Sequence, residues 1–207
     1  MRYPEGHKDQ TRERIIESAA RVFRERGYAA GGVSAVMEGA GMTKGGFYAH
    51  FDSKEHLLAA TLAWALESRY QRLTEGLSDD DPAWLAEVIR RYLSQEHFAH
   101  AEAGCPVPAL LSELHRAGAE PREAFEAYSQ KLSGVLASHL GDGDAEARQD
   151  QAIAILATLV GGMALARAVN DPAIANRTLD ACREFLLAAL PEKNHESATA
   201  KAANGHD

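Results

Sequence analysis

Apolar side chains recur every three or four residues along almost the whole chain, and this spacing constrains its fold more than any other feature. From Thr11 to Arg26 the stripe carries Ile15, Val22 and Phe23, as one face of a helix requires. No segment alternates polar and apolar residues in the way that a half-buried strand does. The pattern therefore predicts an all-α fold.

About nine helices are predicted, separated by breaks rich in Gly, Pro and Asp. Their predicted bounds are about Thr11–Arg26, Val33–Glu38, Thr43–His50, a long helix that begins at Ser53, Ala83–Glu102, Pro106–Ala117, Arg122–Leu140, Asp144–Val169 and Pro172–Leu190. The last 17 residues have no apolar pattern and are predicted to be a disordered tail.

Charge is divided unevenly along the chain. The formal net charge is -8, but residues 1–54 contain nine Lys or Arg and seven Asp or Glu, a net charge of +2. The remaining residues therefore have a net charge of -10. This distribution favours a front segment that approaches phosphates and an acidic remainder that keeps the chain soluble.

Membrane and secretory features are missing from the sequence. The amino-terminal residues contain no apolar signal region, and the longest uncharged apolar stretch, Ala152–Ala166, has 15 residues. A helical span needs roughly 20. Cys105 and Cys182 lie far apart and belong to no CxxC pair. We therefore expect a cytoplasmic protein with no membrane partner.

Two adjacent glycines stand in the segment "GMTKGGFYAHFDSKE", where a short helix is predicted. Each costs roughly 1 kcal/mol relative to alanine in a helix, so another molecule approaching the backbone closely is one reason to have them. Phe47 and Phe51, four residues apart, are predicted to anchor this helix inward. Together with the short helix before it, the segment predicts a helix-turn-helix.

The run from Gly27 to Leu58, "GYAAGGVSAVMEGAGMTKGGFYAHFDSKEHLL", resembles the DNA-binding signature of the tetracycline-repressor (TetR) family of bacterial transcription regulators. It departs from the family pattern at Gly31–Gly32, where a hydroxyl residue usually caps the second helix. The resemblance implies a homodimer that binds near-palindromic operator DNA and is released by a small-molecule effector. It implies three parts: a helix-turn-helix DNA-binding domain (1–54), a helical ligand-binding and dimerisation domain (55–190) and the tail (191–207).

The resemblance also assigns the residues that meet DNA. The implied contacts, to bases in the groove or to phosphates, are Ser34, Thr43, Lys44, Gly45, Gly46, Tyr48, His50 and Lys54. Thr43 could instead serve only as a helix cap, Tyr48 only in packing, and Lys54 only as a solvated charge.

Histidines gather around Cys105. Imidazole and thiolate suit zinc, so His97, His100 and Cys105 form a conceivable site, but no fourth ligand is evident and no metal site is predicted. In some members of the resembled family a cysteine at this place senses oxidants or electrophiles, which makes Cys105 a redox candidate. A half-buried residue at a helix junction is the plainer interpretation. Cys182 lies on an apolar stripe and is expected in the core.

Large side chains of the middle helices are the candidates for a small-molecule site, although such residues often belong to the core instead. The predicted ligand-binding residues are Trp64, Tyr92, Phe98, Leu111, His115, Phe125 and Tyr128. The two apolar helices near the end of the chain are predicted to form a four-helix bundle between subunits. The predicted interface residues are Leu156, Val160, Gly161, Gly162 and Phe185.

An enzyme or a ligand carrier is the alternative class. The sequence contains no phosphate-binding glycine loop after a strand, no HExxH and no GxSxG. A carrier would not need the first 54 residues. We therefore expect a non-enzymatic regulator without a cofactor. The sequence leaves open the operator, the effector, and the choice between repression and activation.

Overall fold

Helices make up most of the computed structural model, which describes residues 7–101 and 104–191. Within those ranges there are nine α-helices, one 3₁₀ helix and no strand, so the all-α prediction is confirmed. The elements are α1 (His7–Ala30), α2 (Val33–Gly39), the 3₁₀ helix (Lys44–Ala49), α3 (Lys54–Thr74), α4 (Trp84–Tyr92), α5 (Gln95–Ala99), α6 (Val107–Leu114), α7 (Ala119–Ser138), α8 (Ala145–Ala168) and α9 (Pro172–Ala188).

The chain divides into two units. The first unit comprises the residues up to Arg69 together with Ala101–Tyr128, and the second comprises Tyr70–His100 and the residues from Ser129 onward. α6 and the first half of α7 belong to the same unit as the amino-terminal helices. The domain boundary after residue 54 stays a prediction.

The core of the first unit lies between α1, α2, the 3₁₀ helix and the first half of α3. Its largest fully buried side chains include Ile15, Phe23, Met37, Phe47, Phe51, Leu57, Leu58 and Leu62. Two polar side chains of α1 fasten α2 and the turn after it. The Ser18 hydroxyl donates to the Val36 carbonyl at 2.8 Å, and the Arg14 guanidinium donates to the Ala40 carbonyl at 2.7 Å.

In the second unit, α8 and α9 pack against each other, and α4 packs on α9. Arginines connect these helices to loop carbonyls. Arg183 of α9 donates to the Leu93 carbonyl at 3.1 Å, and Arg167 of α8 donates to the His97 carbonyl at 2.6 Å. These bonds satisfy carbonyls left open at the ends of α4 and α5.

Side-chain caps fix three of the predicted helix starts. The Ser53 hydroxyl oxygen accepts a hydrogen bond from the His56 N–H at 2.9 Å. Asp144 accepts from the Ala147 N–H at 2.9 Å, and Asp171 accepts from the Ala173 N–H at 2.8 Å. Gly27, predicted to stop the first helix, has a φ of 74°, and the helical backbone of α1 is interrupted there.

Three helix predictions need correction. The single helix predicted for Ala83–Glu102 is two helices, because the Ser94 hydroxyl accepts from the His97 N–H and starts α5. The helix predicted for Thr43–His50 is a 3₁₀ helix, as a segment with two glycines and poor helix propensity allows. Thr43 precedes it in an extended conformation without a side-chain capping bond. The predicted tail, apart from Pro191, lies outside the described residues.

Candidate DNA-binding surface

Two aromatic rings hold the 3₁₀ helix against the core. Phe47 and Phe51 are each 1% exposed, and their ring centroids are 5.9 Å apart in a stacked arrangement. The predicted inward anchor is confirmed. Because both rings are on the buried side, the opposite side of the short helix faces outward.

The outward side carries most of the predicted DNA contacts. Tyr48 is 73% exposed, and its ring and the Phe47 ring are in a T-shaped arrangement with their centroids 5.2 Å apart. Of the other predicted contact residues, Ser34, Thr43, Lys44 and Gly45 are exposed, and Gly46, His50 and Lys54 are half-buried. A backbone with glycines at two successive positions and a lysine beside it forms a surface that a DNA groove can approach closely.

Lys54 has contacts inside the protein. Its ammonium donates to the Tyr28 carbonyl at 2.5 Å and to the Ala29 carbonyl at 3.4 Å, and it lies 4.2 Å from the centroid of the Tyr28 ring. Burial lowers the pKa of Lys54, although the negative charges of Glu55 and Glu113 act to raise it. The lysine that was predicted to contact a phosphate is therefore held in place by α1.

Tyr28 lies at the centre of this charged group. Burial raises the pKa of Tyr28 to about 12, and the charge of Glu55, a hydrogen bond to Glu55 and the charge of Glu113 add to the effect. The Tyr28 backbone N–H donates to the Glu113 carboxylate. Glu113 could not be identified from the sequence, because 85 residues separate it from Tyr28 and no local pattern joins them.

Arg12 is a second residue that the sequence analysis missed. Its guanidinium carbon lies 4.8 Å from the centroid of the Phe51 ring, so a cation from α1 lies beside the end of the 3₁₀ helix. Arg12 stands three residues before Ile15 of the apolar stripe, a spacing that places both residues on one side of α1.

The candidate ligand residues fall into both units. Trp64, Leu111, His115, Phe125 and Tyr128 belong to the first unit. Within that unit the Tyr128 hydroxyl donates to the Leu66 carbonyl at 3.1 Å and links α7 to α3. The other two candidates, Tyr92 and Phe98, belong to the second unit, where the buried Tyr92 ring meets the His97 ring edge-on at 4.7 Å.

The two cysteines have different surroundings. Cys105 is 6% exposed and lies directly before Pro106, the residue at the start of α6. Cys182 is only partly buried, which corrects its predicted place in the core, and desolvation raises the pKa of its thiol. In the described residues, no three His, Cys, Asp or Glu side chains lie together in a group that could hold a metal ion.

Large apolar side chains lie exposed on α8 and α9. Their exposed fractions are 51% for Ile153, 63% for Leu165, 53% for Ile174 and 67% for Phe185. By length and composition alone, α8 is apolar enough to cross a membrane. Only 33% of its most apolar 18-residue stretch is buried within the chain. A large part of this apolar helix is therefore left for another surface to cover.

The predicted interface residues differ in what surrounds them. Leu156, Val160 and Gly161 are half-buried, and Phe185 is exposed. Gly162 is buried, and a Cβ atom added there would lie 2.8 Å from the Cys182 sulfur of the same chain. Gly162 therefore packs α8 against α9 within one subunit.

Comparison with known proteins agrees with the resemblance. Residues 15–61 match the family model described as bacterial regulatory proteins, tetR family. Rv0196, an uncharacterised HTH-type transcriptional regulator of Mycobacterium tuberculosis, is 30% identical over 192 residues, which cover 88% of this chain and 97% of that protein. TtgR, an HTH-type transcriptional regulator of Pseudomonas putida, is 28% identical over 141 residues, or 68% of this chain and 66% of TtgR.

Solved structures show the same fold. The reduced form of Escherichia coli NemR superposes with a TM-score of 0.73 at 21% sequence identity, covering 88% of this chain and 97% of NemR. A TetR transcriptional regulator from Chloroflexus aurantiacus gives a TM-score of 0.70 at 24% identity, covering 86% and 95%. With this fold, the helix-turn-helix and the near full-length match to a regulator, the chain belongs to the TetR family of bacterial transcriptional regulators.

Proposed function

We propose that the protein is a cytoplasmic repressor that binds a near-palindromic operator as a homodimer and leaves it when a small molecule binds. The exposed surface of Lys44, Gly45 and Tyr48, fastened from behind by Phe47 and Phe51, is the observation that carries the proposal. NemR of Escherichia coli, 26% identical over 136 residues, is named a repressor.

A dimer accounts for the short length of the recognition element and for the exposed apolar side chains of α8 and α9. Two copies of a short recognition element can contact half-sites about 34–36 Å apart, one turn of the duplex. The exposed apolar side chains of α8 and α9 would be covered when the same surface of a second copy meets them across a two-fold axis. A lipid bilayer is the competing cover for α8, and the expected solubility of the acidic chain favours the dimer.

The neighbouring glycines of α8 should respond differently to leucine. Gly162→Leu forces a side chain against Cys182, so we expect it to lower the free energy of unfolding by about 1–3 kcal/mol. Among the described residues, no atom beyond the helix's own nearby backbone lies within 4 Å of a Cβ at Gly161, so Gly161→Leu should leave monomer stability intact and weaken the dimer. Urea unfolding and sedimentation measured over a range of protein concentrations would separate the two effects. Equal losses of stability would contradict the packing described for Gly162.

The effector is proposed to act through α3. This helix carries Lys54 at its start and Trp64 ten residues later, about 15 Å along a rigid element. A compound bound near Trp64, Leu111, Phe125 and Tyr128 could therefore change the position of the recognition element. Only a compound that prefers the released state can do so, and a hundredfold preference corresponds to about 2.7 kcal/mol.

A thiol switch at Cys105 is the alternative route to release. Its place directly before α6 suits a sensor, whereas its burial favours a structural role. Aromatic compounds and thiol reagents should be compared on the wild type and on Cys105→Ser. We expect an aromatic compound to release DNA equally from both proteins. Release by thiol reagents alone, absent in Cys105→Ser, would reject the pocket and support the thiol switch.

Transcription from the promoter upstream of the protein's own gene tests the proposed direction of control. Purified protein should reduce the transcript in vitro, and Lys44→Ala should not, because that variant lacks a proposed DNA contact. Lys131→Ala removes an exposed lysine of α7 and is the matched control that should still repress. An increase in transcript with the wild type would make the protein an activator instead.

A further inference from the structure

α6 and the turn after it contact two parts of the DNA-binding segment in the first unit. The Glu113 carboxylate accepts hydrogen bonds from the backbone N–H of Tyr28 and, at 3.5 Å, from that of Ala29. Four residues after the end of α6, Gly118 lies against α3, since a Cβ there would be 3.3 Å from the Glu55 Cγ. One short stretch of chain therefore reaches both the end of α1 and the start of α3.

Tyr28 and Ala29, near the end of α1, are here called the corner. Both N–H groups and both carbonyls of the corner form hydrogen bonds. Its two N–H groups donate to Glu113 of α6, and its two carbonyls accept from Lys54 of α3. Glu113 and Lys54 are thus connected through the same two residues, and both bond to the peptide unit that joins Tyr28 to Ala29. A shift of the carboxylate would move the carbonyls that hold the ammonium.

Glycine at position 27 leaves the space that the carboxylate occupies. A Cβ at Gly27 would lie 3.1 Å and 3.2 Å from the two Glu113 carboxylate oxygens, and the φ of 74° disfavours other residues. Hydrogen bonds from backbone N–H groups to a carboxylate are charge-assisted and therefore strong. The backbone conformation at Gly27 and the absence of a side chain there therefore let the Glu113 carboxylate reach the N–H groups of the corner.

We infer that Glu113 is a positioning residue for DNA binding, which fixes the corner at Tyr28 and Ala29 and thereby the Lys54 ammonium. The inference rests on the proposed function, since Lys54 is a proposed phosphate contact.

Glu113→Gln tests the inference, because long-range electrostatics and a positioning role predict opposite changes in DNA affinity. Removing a negative charge should tighten binding to phosphates if only long-range electrostatics matters. Loss of positioning should weaken it, by roughly tenfold, because glutamine offers one neutral acceptor and places an amide N–H₂ against the second N–H. Glu120→Gln, an exposed site at the start of α7, removes the same charge and is the matched control.

The measurement is fluorescence anisotropy with a labelled duplex from the region upstream of the gene, using the full chain at several salt concentrations. We expect Glu113→Gln to bind more weakly than the wild type, and Glu120→Gln to bind as tightly or slightly more tightly. In a Lys54→Met background the effect of Glu113→Gln should disappear, because the two residues act through one corner. Amide exchange at Tyr28 and Ala29 should be faster in Glu113→Gln.

The outcomes separate this inference from the proposed function. Equal affinities of Glu113→Gln and Glu120→Gln, with a wild type that binds, would overturn the positioning role alone. A full effect of Glu113→Gln in the Lys54→Met background would overturn the connection through Lys54. Absence of binding by the wild type to any upstream duplex would overturn the proposed function and the inference with it, whatever the amide exchange showed.

Discussion

Tyr48→Ala should strongly weaken operator binding while the fold and the dimer stay intact. The ring is 73% exposed, so its removal takes little from the core, and the neighbouring Phe47 and Phe51 remain to hold the 3₁₀ helix. Removing one DNA-binding side chain from a recognition surface costs about 1–3 kcal/mol, which is about 5- to 150-fold in affinity for each subunit. Lys44→Ala should act similarly and also reduce the salt slope by about one unit for each phosphate that the variant no longer binds.

Tyr48→Phe is the matched variant for this experiment, because it retains the ring and removes the hydroxyl. Affinity restored by phenylalanine would assign the contact to the ring, whereas equal losses in both variants would assign it to the hydroxyl. Circular dichroism and sedimentation should match those of the wild type in each case. If both Tyr48→Ala and Lys44→Ala keep wild-type affinity, the assigned recognition surface is wrong.

Phe185→Arg should convert the dimer into monomers. Phe185 is 67% exposed on α9, and a two-fold interface would bury it twice. Two buried phenylalanine side chains contribute about 3–6 kcal/mol, so we expect the dimer dissociation constant to rise by about 100-fold or more. Operator affinity should fall as well, because a monomer contacts one half-site.

Asn176→Arg is the control for Phe185→Arg. It adds the same charge to α9 at an exposed position nine residues away, about half a turn around the helix from Phe185. We expect this variant to remain a dimer by sedimentation without detergent. A wild-type chain that is monomeric in solution and partitions into lipid vesicles would show that a bilayer, and not a second copy, covers α8.

Local sequence signals predicted the parts of the fold that local interactions determine. Ser53, Asp144 and Asp171 start helices because each side chain bonds to a backbone N–H two or three residues later. Ser94 offered the same signal within the apolar stripe of Ala83–Glu102, and its cap divides that helix in two. Gly27 was predicted to end the first helix, and the helical backbone is interrupted there, although α1 continues to Ala30.

The candidate site was only partly predictable, because some of its contacts join residues that are far apart in the sequence. The anchors Phe47 and Phe51 followed from their four-residue spacing, but the Glu113 bond to Tyr28 joins residues 85 apart, and no periodicity records it. The apolar stripe of α9 could not show which side chains face the same chain. Leu179 and Leu186 are buried in it, whereas Phe185 is exposed.

Nuclease footprinting on the region upstream of the gene tests whether the protein binds DNA as a dimer through the surface that contains Tyr48. A dimer with two recognition elements should protect one site with two-fold symmetry, whose half-sites lie about 10–10.5 base pairs apart, centre to centre. Tyr48→Ala should abolish the protection at the same protein concentration. A single unsymmetrical half-site, or a footprint unchanged by Tyr48→Ala, would contradict the account.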